Sequence, residues 1–461
     1  MKKKETKLKE QIYNTIIEYR PTIITAVIIM IPIIMILYIL NLHHYIFPSI
    51  LENKTVFRLD IYYRYFLYIL AFMHFYELFY KKNKLSMSDI FLYIFMIFII
   101  ISTIFAYNKT YALYGYPRRY EGMYTLLFYC FLYLNGKELK NRNFINQSIK
   151  IILGTALIHF ILVILQLTGL YSTVIYKYTS GDAIGLTENC NFLGSLMCML
   201  SIIASSLFIF KENNKNFPYL ILFILTYTCL LLASSTGPFI SFIITFILII
   251  IYVLFKKRTS LKKMAIVLLL ICILYPIVLT KNDEITPEIK SHLNYIVNIF
   301  KDNKTDYLEK ENLEIEDNVK NDDDKELSFN ELGHGRMRIW KNVFKSIRKR
   351  PFLGYGSDNL GLIYEKEENE NLIADKAHNI YLHIWVSNGI LALIGYLGFV
   401  IINIIKGFKS KNNLAIVLCF GIIAYSIQGI FNINVNEVTP YFYIIISFIA
   451  SLSSEKEFDY L

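Results

Sequence analysis

The sequence predicts an all-α protein that crosses a membrane about twelve times. Three observations carry this. Hydrophobic residues make up 55% of the 461 residues and charged residues only 18%, where a soluble domain carries about a quarter charged. Mean hydropathy is +0.43. Apolar runs recur along the chain, and a span needs roughly 20 mostly apolar residues. The same balance excludes an ordinary soluble enzyme, a disordered chain and a disulfide-rich secreted module. Of the six cysteines, all but Cys190 fall inside apolar runs, so no disulfide framework is expected.

The runs lie at 22–40, 62–80, 90–107, 123–134, 149–170, 192–210, 219–233, 239–255, 264–279, 380–405, 414–430 and 441–452. Each is read as one helix, because backbone in a bilayer must satisfy its own hydrogen bonds. The run at 123–134 is short, and its helix is expected to begin earlier. The first run follows a basic, partly amphipathic segment and lacks a small-residue cleavage signal. It is read as an anchor and not as a removed signal peptide.

Lysine and arginine in the short loops set the sides. Twenty-four fall on one side, from Lys2 and Arg20 through Lys81, Lys137, Arg258 and Lys406 to Lys456. Six fall on the other: Lys54, Arg58, Lys109, Arg118, Arg119 and Lys177. The first side is therefore expected to be cytoplasmic, with both termini inside. The net charge of +10 is mostly this topology signal. It calls for no nucleic-acid partner, although a basic inner face also favours anionic membrane lipids. The chain divides into nine spans (1–280), one large extracytoplasmic loop (281–377) and three further spans (378–461). The loop holds an acidic stretch at 302–326, read as a solvated insertion. It then holds a basic segment, Arg336 to Arg350, with Met337, Trp340, Val343, Phe344 and Ile347 on one face. This looks like an interfacial amphipathic helix.

Unusual polar groups share the outer side: Tyr116 to Gly122, Gly185 to Phe192, Ser234 to Pro238, Arg336 and Arg338, Ala377 to Tyr381, and Asn432, Asn434, Asn436 and Glu437. Guanidinium matches phosphate oxygens and is never deprotonated. Arg118, Arg119, Arg336 and Arg338 are thus candidate anion ligands. Interfacial snorkelling is the alternative for the first pair, and acidic headgroups for the second. His378, at the start of an apolar run, can take a proton from an alcohol. The alternative is a helix-end histidine bonded to backbone. His383 is read as a packed polar residue, and His74 and His159 as span residues with no obvious partner. The segment from Gly354 to Asn359 follows no strand and lacks a phosphate-loop lysine, so it reads as a tight turn. No metal-binding pattern stands outside the acidic run.

These segments resemble the O-antigen ligase family, which includes lipid-linked glycan ligases and Wzy-type polysaccharide polymerases. The match lies in Gly335-Arg336-Met337-Arg338-Ile339-Trp340, Arg350-Pro351-Phe352-Leu353-Gly354-Tyr355-Gly356, Ala377-His378-Asn379-Ile380-Tyr381-Leu382 and Asn388-Gly389-Ile390-Leu391-Ala392. Weaker echoes are Arg119-Tyr120-Glu121-Gly122, Asn189 to Gly194 and Ser234 to Gly237. The similar region runs roughly over 190–400. The resemblance implies a membrane glycosyltransferase of GT-C-like architecture in the plasma membrane, working on its extracytoplasmic side without a cofactor, nucleotide sugar or obligatory metal. The implied donor is a glycan on a polyprenyl diphosphate. The implied acceptor is a hydroxyl of a glycan, lipid or protein. His378 matches the family's essential histidine and is read as the general base, and Arg336, with Arg119 or Arg338, is read as the catalytic group that stabilises charge on the leaving diphosphate. Arg119, Arg338, Arg118, Asn379 and Tyr381 are the further substrate-binding candidates. Tyr116, Tyr120 and Trp340 are candidates for a sugar groove. The family pattern puts an arginine where Thr236 stands here, so Arg118 or Arg119 is expected to supply that charge.

Two other classes make different demands. A transporter or flippase for lipid-linked oligosaccharide needs charged residues along a pathway near mid-bilayer. A non-catalytic scaffold tolerates loss of His378 and Arg336.

Overall fold

A computed structural model describes residues 2–42, 58–81, 85–117, 119–168, 183–211, 216–280, 336–366 and 374–454. Arg118 and the acidic stretch at 302–326 lie outside the described residues. The described chain is all helical. In order the helices are α1 (Lys2–Leu42), α2 (Leu59–Lys81), α3 (Met87–Ile104), α4 (Lys109–Tyr114), α5 (Met123–Gly136), α6 (Arg142–Leu167), α7 (Cys190–Phe210), α8 (Phe217–Leu232), α9 (Thr236–Lys256) and α10 (Leu261–Thr280). After the large loop come α11 (Arg336–Lys349), α12 (Leu360–Lys366), α13 (Ile380–Asn388), α14 (Ile390–Lys409), α15 (Asn413–Gln428) and α16 (Thr439–Ser454).

Asparagine starts many of these helices. Asn108, Asn141, Asn189, Asn379 and Asn412 each accept a backbone N–H of the first turn, satisfying a donor the helix leaves orphaned. Ser86 and Asp89 form a reciprocal capping box on α3.

Seven helices among the described residues are long and apolar enough to cross a membrane: α1, α3, α6, α7, α9, α10 and α14. Three shorter apolar helices, α8, α15 and α16, accompany them. Their outer faces are greasy. On α9, Ile243, Ile244, Ile247, Leu248, Ile251, Leu254 and Phe255 are all exposed. Water would penalise such a patch, whereas lipid does not. The protein is therefore a polytopic membrane protein, helical throughout its described residues.

At the centre stands α7, whose most apolar stretch is wholly buried. It packs against α8, α9 and α15, while α5 packs against α2 and α16, and α14 against α3 and α16. Buried hydroxyls on α7 bond to their own helix: Ser201 donates to the Cys198 carbonyl at 3.1 Å and Ser205 to Ile202 at 3.0 Å.

Four expectations change. The run at 380–405 is two helices, broken at Gly389 with φ +86°. A Cβ there would meet the Phe352 carbonyl oxygen at 1.8 Å, so the break is fixed by the close approach of the 350–356 turn. The α5 helix does not start early: it begins at Met123, after a loop pinched where Gly115 meets Gly122. His74 and His159 both have partners. His74 Nε2 lies 2.5 Å from the Tyr93 hydroxyl. His159 Nδ1 accepts the Leu186 N–H at 3.2 Å and, with Gln166, seats the turn before α7. The basic amphipathic helix is present as α11, but Val343 and Ile347 are buried against the protein and Phe344 is exposed.

Candidate active site

Segments distant in sequence meet at one end of the bundle. The 428–436 segment ties them together. Gln428 accepts from Ser195 at 2.9 Å, and Asn432 Nδ2 donates to the Asn191 carbonyl at 2.9 Å. Gly429 accepts the Ile380 N–H at 2.8 Å, and Asn436 Nδ2 donates to the Arg119 carbonyl at 2.9 Å. Ser235 donates to Asn191 Oδ1 at 2.6 Å, which adds the 234–238 turn. The N-termini of α7, α9 and α13 therefore gather around one region, and helix N-termini favour an anion.

His378 lies in the turn leading into α13, with left-handed backbone at φ +48°. The turn is clamped on both sides. Trp340 Nε1 donates to the Ala377 carbonyl at 3.0 Å. Asn379 Oδ1 caps α13 by accepting the Leu382 N–H at 3.0 Å.

A charged frame lies beside this turn. Lys376, 1% exposed, contacts Asp358 and lies 2.9 Å from Glu121 Oε2. Asp358 Oδ2 also accepts the Tyr116 N–H at 3.1 Å and the Glu121 N–H at 3.0 Å. Its other oxygen is 3.7 Å from His383 Nε2. Buried charge persists only when paired and hydrogen-bonded. Here burial opposes ionisation of Asp358, but Lys376 and His383 hold its carboxyl well below the usual range. Burial likewise opposes charge on Lys376, and Asp358 and Glu121 outweigh it.

Arg119 closes the turn from the other side. Its Nε is 2.5 Å from Asp375 Oδ2 and its Nη2 3.3 Å from Oδ1. Its guanidinium stands 5.8 Å from the Phe192 ring centroid on the first turn of α7. Arg336 is the first residue of α11, and burial lowers its pKa. Among the described residues no carboxylate forms an ion pair with it. Burial pushes the His378 imidazole down to about 4, and the charges of Arg336 and Arg119 reinforce this against Asp375. The ring is therefore a neutral acceptor at neutral pH. Burial and Glu188 push Glu437 up to about 8, against the pull of Arg119.

The predicted residues are thus sorted. His378, Arg336 and Arg119 come together. Asn379 is present as a helix cap. Tyr381 is close by, but its hydroxyl donates to the Ser426 carbonyl at 2.6 Å. Arg338 is exposed on α11. Trp340 braces the His378 turn, and Tyr120 lies under Arg58, whose guanidinium is 3.4 Å from the ring centroid.

Sequence reasoning missed Lys376, Asp375 and Asp358, and quoted Glu121 without a role. Adjacent opposite charges just before His378, where the chain enters an apolar run, were an available signal. Asp358 was hidden in a glycine-bearing turn that does exist, with φ +66° at Gly354, +94° at Gly356 and +53° at Asp358. Tyr120, Ser234, Asp358 and His378 are the four non-glycine residues with positive φ among the described residues, and all lie at this end. Such backbone persists only where its surroundings over-determine it, commonly at functional sites. Among the described residues no group of three or more His, Cys, Asp and Glu is placed to hold a metal ion.

A comparison with curated proteins gave no match. Residues 220–397 match the family model described as O-antigen ligase. That stretch includes Arg336, Asp358, Lys376 and His378, and it falls within the 190–400 region that carried the resemblance. The match over residues 220–397 supports the resemblance to the O-antigen ligase family.

Proposed function

We propose that the protein transfers a glycan from a polyprenyl-diphosphate carrier to an acceptor hydroxyl at the outer leaflet of the plasma membrane, in surface-polysaccharide polymerisation or ligation. The carrying observation is the meeting of His378, Arg336 and Arg119 from three distant segments, two of them inside the family match. In this reading both termini are cytoplasmic and the chain makes about twelve crossings, counting α2, α5, the short α8, α15 and α16. The 281–377 loop is extracytoplasmic, between spans drawn from 1–280 and 378–461, in a GT-C-like arrangement.

The chemistry follows from the charges. Neutral His378 accepts the proton of the acceptor hydroxyl as its oxygen attacks the anomeric carbon. The bond from that carbon to the diphosphate breaks, and negative charge grows on the leaving group. Arg336, half-buried and in no ion pair with a carboxylate among the described residues, stabilises that charge where water is scarce. Arg119 supplies the second guanidinium. It and the Thr236 turn both touch the first turn of α7, so it offsets the arginine this chain lacks at 236. No metal takes part in this scheme. Charged groups cluster at the two ends of the bundle, which favours end-on chemistry over a mid-membrane transport path.

The test is reconstitution with polyprenyl-diphosphate-linked repeat units and sizing of the products. A ladder identifies a polymerase and a single capped product a ligase. Movement of intact donor between leaflets with no new glycosidic bond would make the protein a flippase.

A further inference from the structure

We infer that a tyrosine-lined cavity outside the His378 site is a saccharide-binding subsite, an inference that rests on the glycan-transfer reading. The cavity, about 220 Å³, lies between the outer ends of α2, α4 and α5 and is lined by Ile61, Arg64, Tyr65, Tyr68, Tyr114 and Tyr124.

Its walls have the two kinds of group that a sugar needs. One kind is aromatic. Tyr114 and Tyr124 approach with ring centroids 5.4 Å apart, and Tyr65 and Tyr68 are mostly exposed. A pyranose presents C–H bonds on its faces, and electron-rich rings attract these edges. The other kind is a fixed polar pair. Arg64 lies 3.4 Å from Asp60 and 5.1 Å from the Tyr114 ring centroid. Asp60 is itself almost wholly buried and is also bonded by Arg58 at 2.9 and 3.0 Å. A guanidinium held by a carboxylate offers in-plane N–H donors to hydroxyls.

Two arginines share the one buried carboxylate of Asp60, so the cluster keeps a net positive charge, and an anionic lipid headgroup is the competing occupant that the experiment has to exclude.

The cavity is linked to the site through one loop. Tyr114 ends α4 and Tyr124 is the second residue of α5, so the two rings flank the 115–122 loop. That loop carries Arg119, which grips Asp375, and Glu121, which grips Lys376. Arg58 covers Tyr120 on the same loop. A glycan whose reacting end lies at His378 would therefore lay a further unit against the base of the loop that carries Arg119.

The experiment measures binding, so it does not depend on turnover. The protein is placed in nanodiscs and titrated with phosphate-free oligosaccharide released by mild acid from the host cell's surface polysaccharide. Saturation-transfer NMR reads the contact. Tyr65→Ala with Tyr68→Ala, at exposed positions, should weaken binding about tenfold or more, as expected for two lost stacking contacts. Arg64→Gln, which keeps the fold if the double variant does not, should weaken it severalfold. His378→Ala should bind as wild type while losing transfer. If transfer is absent from the wild type but tyrosine-dependent binding remains, the subsite stands and the glycan-transfer reading falls. Equal glycan binding by wild type and both cavity variants overturns the subsite, and so does absence of binding to the wild type. The subsite is also overturned if the variants lose only binding to phosphatidylglycerol vesicles, since the cavity would then seat a lipid headgroup.

Discussion

The two ends of the helix bundle carry similar numbers of buried charges and use them differently. At the end away from His378, cations meet carboxylates close to helix termini. Lys137 pairs with Asp89 at 2.8 Å, Arg20 contacts Glu77, and Lys81 lies 2.5 Å from Glu77. Ser88 accepts from Tyr133 at 3.2 Å and from Lys406 at 3.1 Å. No described residue there has a positive φ. At the His378 end the backbone turns left-handed at nine places, five of them glycines. The Lys376 pairs hold a turn in place, while Arg336 beside it pairs with no carboxylate among the described residues. The first arrangement closes charge to hold helices together. The second holds rigid the turn that carries His378. The difference teaches that buried charge alone does not mark a site; strained backbone beside incompletely neutralised cations does.

Removing Lys376 should have the largest effect. Lys376→Met strands Asp358 and Glu121 in a buried pocket and should cost about 3–5 kcal/mol. Arg20→Met at the other end should cost less, because Lys81 stays on Glu77. Thermal unfolding of both variants in one detergent makes the comparison, and equal losses would break the contrast between the ends.

Arg336→Ala should lower transfer by about 10²–10³ fold with little change in unfolding temperature, as for loss of one group that stabilises developing charge. Arg338→Ala, two residues on and exposed, should stay within about twofold. Steady-state rates on the lipid-linked donor check both. An equal loss at the two positions would mean that α11 acts as a general basic surface.

The last expectation is a pH dependence from Glu437, which interacts electrostatically with Glu188. Glu437 has a folded pKa of about 8, above the roughly 4.3 expected unfolded. A raised acid pKa gives stability that is full below the unfolded value and is lost as pH rises through the folded one. The wild type should therefore lose some stability between about pH 5 and pH 9 through this group. Glu437→Gln should flatten that slope. Melting curves across the range read it, and an unchanged slope would remove Glu437 from the account.

Much of the fold was legible in the sequence. Hydropathy located the long helices, because lipid-facing and buried faces are both apolar. The amphipathic pattern from Arg336 correctly gave α11. It was silent on the break at Gly389, where a carbonyl from a segment more than thirty residues earlier decides the geometry. The site was half legible. Charge bias grouped segments that the structure gathers at one end of the bundle, and the candidates His378, Arg336 and Arg119 lie among them. Lys376, Asp358 and Glu121 stayed hidden because their role exists only once three segments meet. Tyr381 and Asn379 were marked as substrate contacts; Asn379 caps α13, as an Asn before an apolar run can, while the Tyr381 bond to the Ser426 carbonyl has no sequence signal.

The most direct test of the central claim supplies purified protein in liposomes with polyprenyl-diphosphate-linked repeat units, with and without EDTA, and compares wild type with His378→Ala. The account predicts that free polyprenyl diphosphate and a new glycosidic product appear together, that EDTA leaves both unchanged, and that the variant loses about 10²–10⁴ fold in rate while staying folded. Equal turnover by the folded variant would contradict the role of His378, and loss of turnover in EDTA would contradict transfer without a metal.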